Sequence, residues 1–399
     1  MKIFKADVPL GKFAPALVLV FNSLTWYSLI FAAFEKLSLS MTETFILYGV
    51  YYVGIAVAAL AGASYFHRSR EKYLLLWMLF GVIMTTLLAT IQSGNFTLNL
   101  LVFIFLGFSI GAGLPSSLAY FADTTKVENR GTYGGITWCT VGFGILAMAS
   151  VIGVLDLFQT SILLALWRIA GLISFFILTR RREELEQPTA VSSYHSILQR
   201  QDVILYLLPW IMFSLVNFAE SPILGKLLGD FQLFAGFIEF AVTGVFAIVG
   251  GIIADTVGRK RVVITGFIIV GVEYAMLSLF SGIKASWYVY TVLDGIAWGL
   301  FASVFFMTLW ADLSEGRRKE KYYALGGLPY LLAGYLPVLV KPFIEGIETV
   351  AAFSLASFFL FLAVLPLMYA PETLPEKRIK EREFKGYVEK AKKIKEKYD

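Results

Sequence analysis

The sequence predicts an all-α polytopic membrane protein whose twelve transmembrane helices form two pseudo-symmetric six-helix halves, and three observations lead there. First, of 399 residues 58% are hydrophobic and 16% charged, and the mean hydropathy is +0.72. Too few polar residues remain to cover a soluble domain of this size. Second, the apolar residues arrive in blocks of roughly 20, the length that crosses a ~30 Å hydrocarbon core. Such blocks read as helices, because backbone exposed to lipid must bond to itself. Third, lysine and arginine favour every second connector.

The blocks place spans at about 13–34, 43–66, 73–93, 98–122, 131–155, 160–179, 203–222, 231–254, 261–282, 286–311, 322–341 and 349–369. Lys2, Lys5 and Lys12 precede the first. Its apolar run is too long for a signal peptide and no small-x-small cleavage site follows, so it counts as span 1. Of the 34 Lys and Arg, 29 fall on the face that holds both termini and the connectors after spans 2, 4, 6, 8 and 10. Arg168 lies within a span, and the other face carries Lys36, Lys226, Lys284 and Lys341. The expectation is a multi-pass protein of the cell membrane with both termini cytoplasmic.

The longest internal connector is charged and then rich in Pro, Ser and Thr, and it divides the chain. Residues 1–182 form an N-terminal half, 183–202 a cytoplasmic linker, 203–375 a C-terminal half and 376–399 a basic tail. The halves look related. Span 4 exits as Ala119-Tyr120-Phe121-Ala122-Asp123, followed by Arg130 and Gly134-Gly135. Span 10 exits as Thr308-Leu309-Trp310-Ala311-Asp312, followed by Lys319, Lys321 and Gly326-Gly327. Gly62 of span 2 aligns with Gly251 of span 8, and Ser69-Arg70-Glu71-Lys72 with Gly258-Arg259-Lys260-Arg261. Chance likeness between apolar helices explains poorly why the matches fall at helix exits.

Span 8 ends in GGIIADTVGRKRVV, residues 250–263. Gly250 and Gly251 let a neighbouring helix approach closely, and Gly258 permits the tight reversal of a very short loop. Arg259, Lys260 and Arg261 hold that loop at the headgroups. Asp255 sits among these cations and can accept hydrogen bonds from arginine or from a helix N-terminus. A tight turn with ordinary positive-inside charges accounts for the cations, but not for the aspartate at the membrane edge. The segment resembles the G-x-x-x-D-x-x-G-R-[KR] signature of the major facilitator superfamily. With the span count, the central basic loop and the repeat, the likeness covers the chain to about Pro375, and PETLPE at the exit of span 12 resembles a recurrent ending there.

The resemblance implies a transporter working by alternating access, with spans 1, 4, 7 and 10 lining a cavity and 3, 6, 9 and 12 peripheral. It also implies a cytoplasmic gate built from Gly251, Asp255, Gly258, Arg259, Lys260 and Asp312, with Asp123 and Arg130 in the matching and adjoining positions. Asp255 is expected to face the N-terminus of span 5 near Gly131. In the first half Phe66 replaces the signature aspartate and Ser69 the glycine, so a single latch is expected. Phe103 stands where drug antiporters carry arginine, span 5 lacks the antiporter glycine-proline element, and the central loop lacks the sugar-porter element. Drug antiport and typical sugar transport are both weakened.

Charged groups at membrane depth are costly, so each is a functional candidate. At 1.5 Å per residue, Glu239, Asp294 and Arg168 fall roughly 12 Å inside their spans, and Glu273, counted up from the inner edge of span 9, reaches a similar level. By the cavity order above, Arg168 and Glu273 favour structural roles. Asp294 is the leading proton carrier, with Glu239 second. A permanent Asp294–Arg168 pair is the competing reading. Glu220, near the outer end of span 7, is expected to snorkel to water. Asn22 and Asn217 are placed to bond a substrate, and Trp26, Tyr27, Trp138 and Trp298 to line a cavity. Pro115, Pro209, Pro329 and Pro337 are read as interrupting their helices. The tail is open between an amphipathic surface helix and a solvated segment.

Cys139 is the only cysteine and the two histidines, His67 and His195, lie in connectors, so no metal, haem or other cofactor is expected. No phosphate loop is present. Expected partners are a small solute, protons and membrane lipid; no nucleic acid is expected, and the protein is expected to be monomeric. The reading is a secondary transporter and not an enzyme, with a transport-inactive sensor on the same fold as the alternative.

Overall fold

In the computed structural model, residues 10–65, 69–91, 95–180 and 190–374 are described. The expectations for Lys2, Lys5, Phe66, His67, much of the linker and the 376–399 tail lie outside these residues. Among the described residues, twelve helices are long and apolar enough to cross a membrane. They are Gly11–Phe34, Met41–Ser64, Arg70–Leu88, Phe96–Thr124, Arg130–Ile152 and Leu157–Thr179 (spans 1–6), then Gln201–Leu228, Phe231–Thr256, Arg259–Phe280, Lys284–Leu313, Glu320–Gly346 and Thr349–Tyr369 (spans 7–12). The chain is a multi-pass membrane protein.

Local signals start these helices. Asp156 accepts from the Gln159 amide at 2.8 Å while the Gln159 side chain accepts from the Asp156 amide at 3.2 Å, a reciprocal cap on span 6. Ser40 and Glu43 do the same for span 2. Gly258, with φ of 125°, makes the turn into span 9 in a conformation that favours glycine.

Two spans are broken in the same register. Span 4 stops at Gly111 and restarts at Leu114, with Pro115 in the new first turn. Span 10 passes through a π-helical stretch at Ala302–Phe306 before Leu309–Leu313. Gly113 and Ala302 each lie ten residues before Asp123 and Asp312. The repeat is therefore one of backbone geometry as well as sequence, although only the first break has a proline. Pro337 likewise opens a new short helix, whereas Pro209 and Pro329 lie inside continuous helices and do not interrupt them.

The halves repeat their internal packing: spans 2 with 4, 3 with 6, 1 with 6 and 1 with 5 correspond to 8 with 10, 9 with 12, 7 with 12 and 7 with 11. Between halves, span 5 packs on span 8 and span 2 on span 11. Small residues allow the first crossing. A Cβ on Gly135 would fall on the Ala247 carbonyl oxygen, and one on Gly251 on that of Gly131. The backbones touch there, as small-residue faces of membrane helices permit.

Candidate functional site

On the face carrying the basic connectors, two charge clusters cross between the halves. In the first, Asp255 accepts from the Gly131 amide at 2.9 Å, the Thr132 amide at 2.6 Å and the Thr132 hydroxyl at 2.7 Å. It thus caps the N-terminus of span 5, where a helix favours an anion. Arg259 reaches Asp255 at 3.1 Å and Asp312 at 3.0 Å, and Arg130 also pairs with Asp312. Arg259 donates further to the Ala254 carbonyl at 2.8 Å and the Val127 carbonyl at 2.5 Å. Arg259 and Asp312 are almost fully buried. Buried charges need this degree of pairing, because a lone one is strongly destabilising.

A second cluster crosses between the halves where a single one was expected. Arg70, at the Arg259 position, holds Asp123 at 2.5 Å and the Glu320 carboxylate at 3.0 Å through Nε. Lys319, at the start of span 11, also pairs with Asp123. The acid that position 66 cannot supply comes from Glu320, on the opposite half. Sequence reasoning missed Glu320 because it looked for the acid in the repeat register; the available signal was an acid directly after Lys319 at a helix start.

Lys260 is not part of either cross-half cluster. Its amide donates to Glu372 at 3.2 Å and its ammonium to the Met368 carbonyl at 2.8 Å. Glu372 also accepts from the Arg259 amide at 2.8 Å. The acid of PETLPE thus caps span 9, a role the motif alone did not assign. Gly258 leaves room for it: a Cβ there would strike the Glu372 carboxylate.

Between the halves lies a cavity of about 300 Å³. It is lined from spans 1, 2, 5, 7, 8, 9, 10 and 11, among them by Tyr27, Tyr52, Trp138, Asn217, Glu239, Tyr274, Asp294 and Tyr330. Span 4 contributes nothing to it. That span instead lines a smaller apolar pocket with Leu114, Pro115 and Leu118, which shares Tyr27, Trp138 and Tyr330 with the main cavity. Those three rings border both spaces. On the opposite face, the polar contact between halves among the described residues is the Tyr335 hydroxyl on the Phe45 carbonyl at 2.7 Å, an exposed bond.

The expected candidates separate. Asp294 and Glu239 both line the cavity, as does Asn217. Glu273 is fully buried behind the wall, and it and Glu239 both approach the Asp294 carboxyl. No N–H or O–H donor reaches either Glu273 oxygen or Asp294 Oδ1. No ion pair to these acids occurs among the described residues. Glu220 does not line the cavity; the residue is half-buried, and its Oε2 is buried without a donor.

Arg168 and Asn22 lie elsewhere. Arg168 is fully buried and lies over Trp26 and Trp77, 4.6 and 4.4 Å from their ring centres. It donates to Asn22 Oδ1 at 3.0 Å and to Ser23 Oγ at 2.7 Å. The Asn22 amide is spent on the Trp167 carbonyl at 2.7 Å. Both residues bind span 1 to span 6 rather than line the cavity, and the Asp294–Arg168 pair does not form. Trp26 packs there too, while Tyr27, Trp138 and Trp298 line the cavity as expected.

No family model matches the chain, and no curated protein sequence is significantly similar to it. Solved structures are. The human organic anion transporter MFSD10 (TETRAN) superposes with a TM-score of 0.68 at 14% identity, over 90% of this chain and 98% of that one. FucP, a major facilitator superfamily transporter in the outward conformation, superposes with a TM-score of 0.71 at 10% identity, with the same coverage of each chain. The chain has the major facilitator fold over nearly all its length.

Proposed function

We propose that the protein is a secondary transporter that moves a small solute across the cell membrane by alternating access, with its basic face cytoplasmic. One observation carries the reading: a cavity bounded by both halves and sealed at one end by charge pairs that cross between them. Rocking the halves apart at the basic face breaks the Asp255 and Glu320 contacts and opens the cavity past Tyr27, Trp138 and Tyr330. Charge pairs suit a reversible seal, since separation returns them to water and recovers much of their cost. Two grazing faces built on small residues, like spans 5 and 8, can slide without repacking a core.

Proton coupling through Asp294 extends the proposal. Three carboxyls gathered at one place without a cation cannot all be ionised together, so the group holds at least one proton when the cavity is empty. Asp294 faces the cavity and is the member placed to exchange that proton with each side in turn. The organic-anion role named for MFSD10 is not carried over, because no Lys, Arg or His lines this cavity.

The test is reconstitution. Vesicles containing the purified protein are loaded with a mixed metabolite extract, and efflux is followed by mass spectrometry under proton gradients of either sign. Selective loss of one solute class, beyond that from protein-free vesicles, supports transport. No difference under any gradient overturns it and leaves the sensor.

A further inference from the structure

Ten of the 21 residues lining the central cavity are aromatic. The two titratable carboxyls in the wall, Glu239 and Asp294, face that space with no lysine, arginine or histidine in the lining. Asp294 is 3% exposed, and its Oδ1 has no hydrogen-bond donor anywhere among the described residues. A buried polar atom left without a partner calls for an explanation; here it belongs to a carboxyl that borders a space of about 300 Å³.

The rings are arranged as walls rather than as one stack. Tyr330 meets Trp298 at 5.9 Å and 75°, Phe218 at 5.3 Å and 64°, and Tyr27 at 6.5 Å and 62°. A ring face open to the cavity attracts a cation most strongly where water is excluded. An anion would meet two acids and the negative faces of the rings. The uncharged polar side chains of the lining, Asn217, Ser28, Ser221, Thr243 and five tyrosines, can serve a neutral solute, but only a cation also gains from the two acids and the ring faces.

We infer that the cavity selects an organic cation: an amine or quaternary ammonium carrying an apolar group, its charge set toward Glu239 and Asp294 and its apolar part among Tyr27, Trp138 and Tyr330. The inference rests on the proposal that this cavity is the substrate site. Shape would be read by the rings, and sign of charge by the acids.

The test is equilibrium dialysis of the full-length protein in lipid nanodiscs, corrected for empty discs, with three probes. Phenyltrimethylammonium is the cation, 2-phenylpropan-2-ol is neutral and of nearly the same shape, and benzenesulfonate is the anion. The wild type should bind the cation saturably and at least tenfold more tightly than either other probe. Glu239→Gln should weaken the cation at least tenfold and leave the neutral probe within twofold. If that variant does not fold, the three-probe comparison on the wild type decides alone. Equal binding of cation and neutral probe, preference for the anion, or no saturable cation binding overturns the inference. Counterflow in vesicles separates it from the transport reading. Solute movement without cation preference overturns this inference only, whereas cation binding with no solute ever crossing overturns transport and leaves the cation site standing.

Discussion

Glu320→Gln tests whether the second charge cluster is a latch. Glu320 is 5% exposed and holds Arg70 through Oε1 alone, with Oε2 unpartnered. The amide therefore keeps an acceptor and forfeits no bond from Oε2; what it loses is charge. Hydrogen bonds to charged groups contribute about 1.5–3 kcal/mol, and Arg70 keeps Asp123 as a counter-ion. We expect the closed basic face to lose about 2 kcal/mol relative to the open one, roughly a thirtyfold change in the equilibrium constant. The reporter is Ala324→Cys on a Cys139→Ser background. Ala324 lines the small pocket beneath the latches and is 1% exposed, so its thiol reacts with maleimide only when that face opens. The labelling rate should rise about thirtyfold in Glu320→Gln, scaled from the 2 kcal/mol above. Asp255→Asn should raise it at least as much, because three donors and Arg259 converge on that carboxylate. An unchanged rate in Glu320→Gln would refute the second latch and restore the single-latch expectation.

Asp294→Asn should abolish proton-driven accumulation yet spare exchange across vesicles at equal pH; normal accumulation in the variant removes Asp294 as the carrier. Gly251→Val should block closure of the basic face, since even a Cβ would fall on the Gly131 carbonyl, and the Ala324→Cys reporter should then label fast whatever the substrate, while slow labelling would show that spans 5 and 8 can part without loss of the seal. Glu372→Ala removes the cap on the Arg259 and Lys260 amides and should cost about 1 kcal/mol, read as a thermal midpoint a few degrees lower, with no change meaning that water replaces the carboxylate.

Twelve spans and the repeated halves were legible in the sequence because they rest on local quantities. Block length and the cost of bare backbone in lipid determine a span wherever it later packs, and the positive-inside bias is counted residue by residue. Asp255, Arg259 and Asp312 were legible for a related reason: a short loop holds the first two together, and the repeat puts Asp312 in register with Asp123. Asp294 was singled out because a carboxyl inside a span is conspicuous whatever surrounds it.

The tertiary structure decided the partners. Arg70 meets Glu320 across 250 positions of sequence, and nothing in the first half announces that an acid lost at position 66 is replaced from the second. Depth alone put Arg168 level with the acids, but azimuth turned it toward Asn22, Ser23 and two tryptophans, away from Asp294. Glu273, peripheral by span order, turned inward to the same carboxyl. Sequence spacing gives height along a helix; which way a side chain faces, and which half faces it, depends on how twelve helices rotate and cross, and that is settled only when spans 5 and 8, and spans 2 and 11, come into contact.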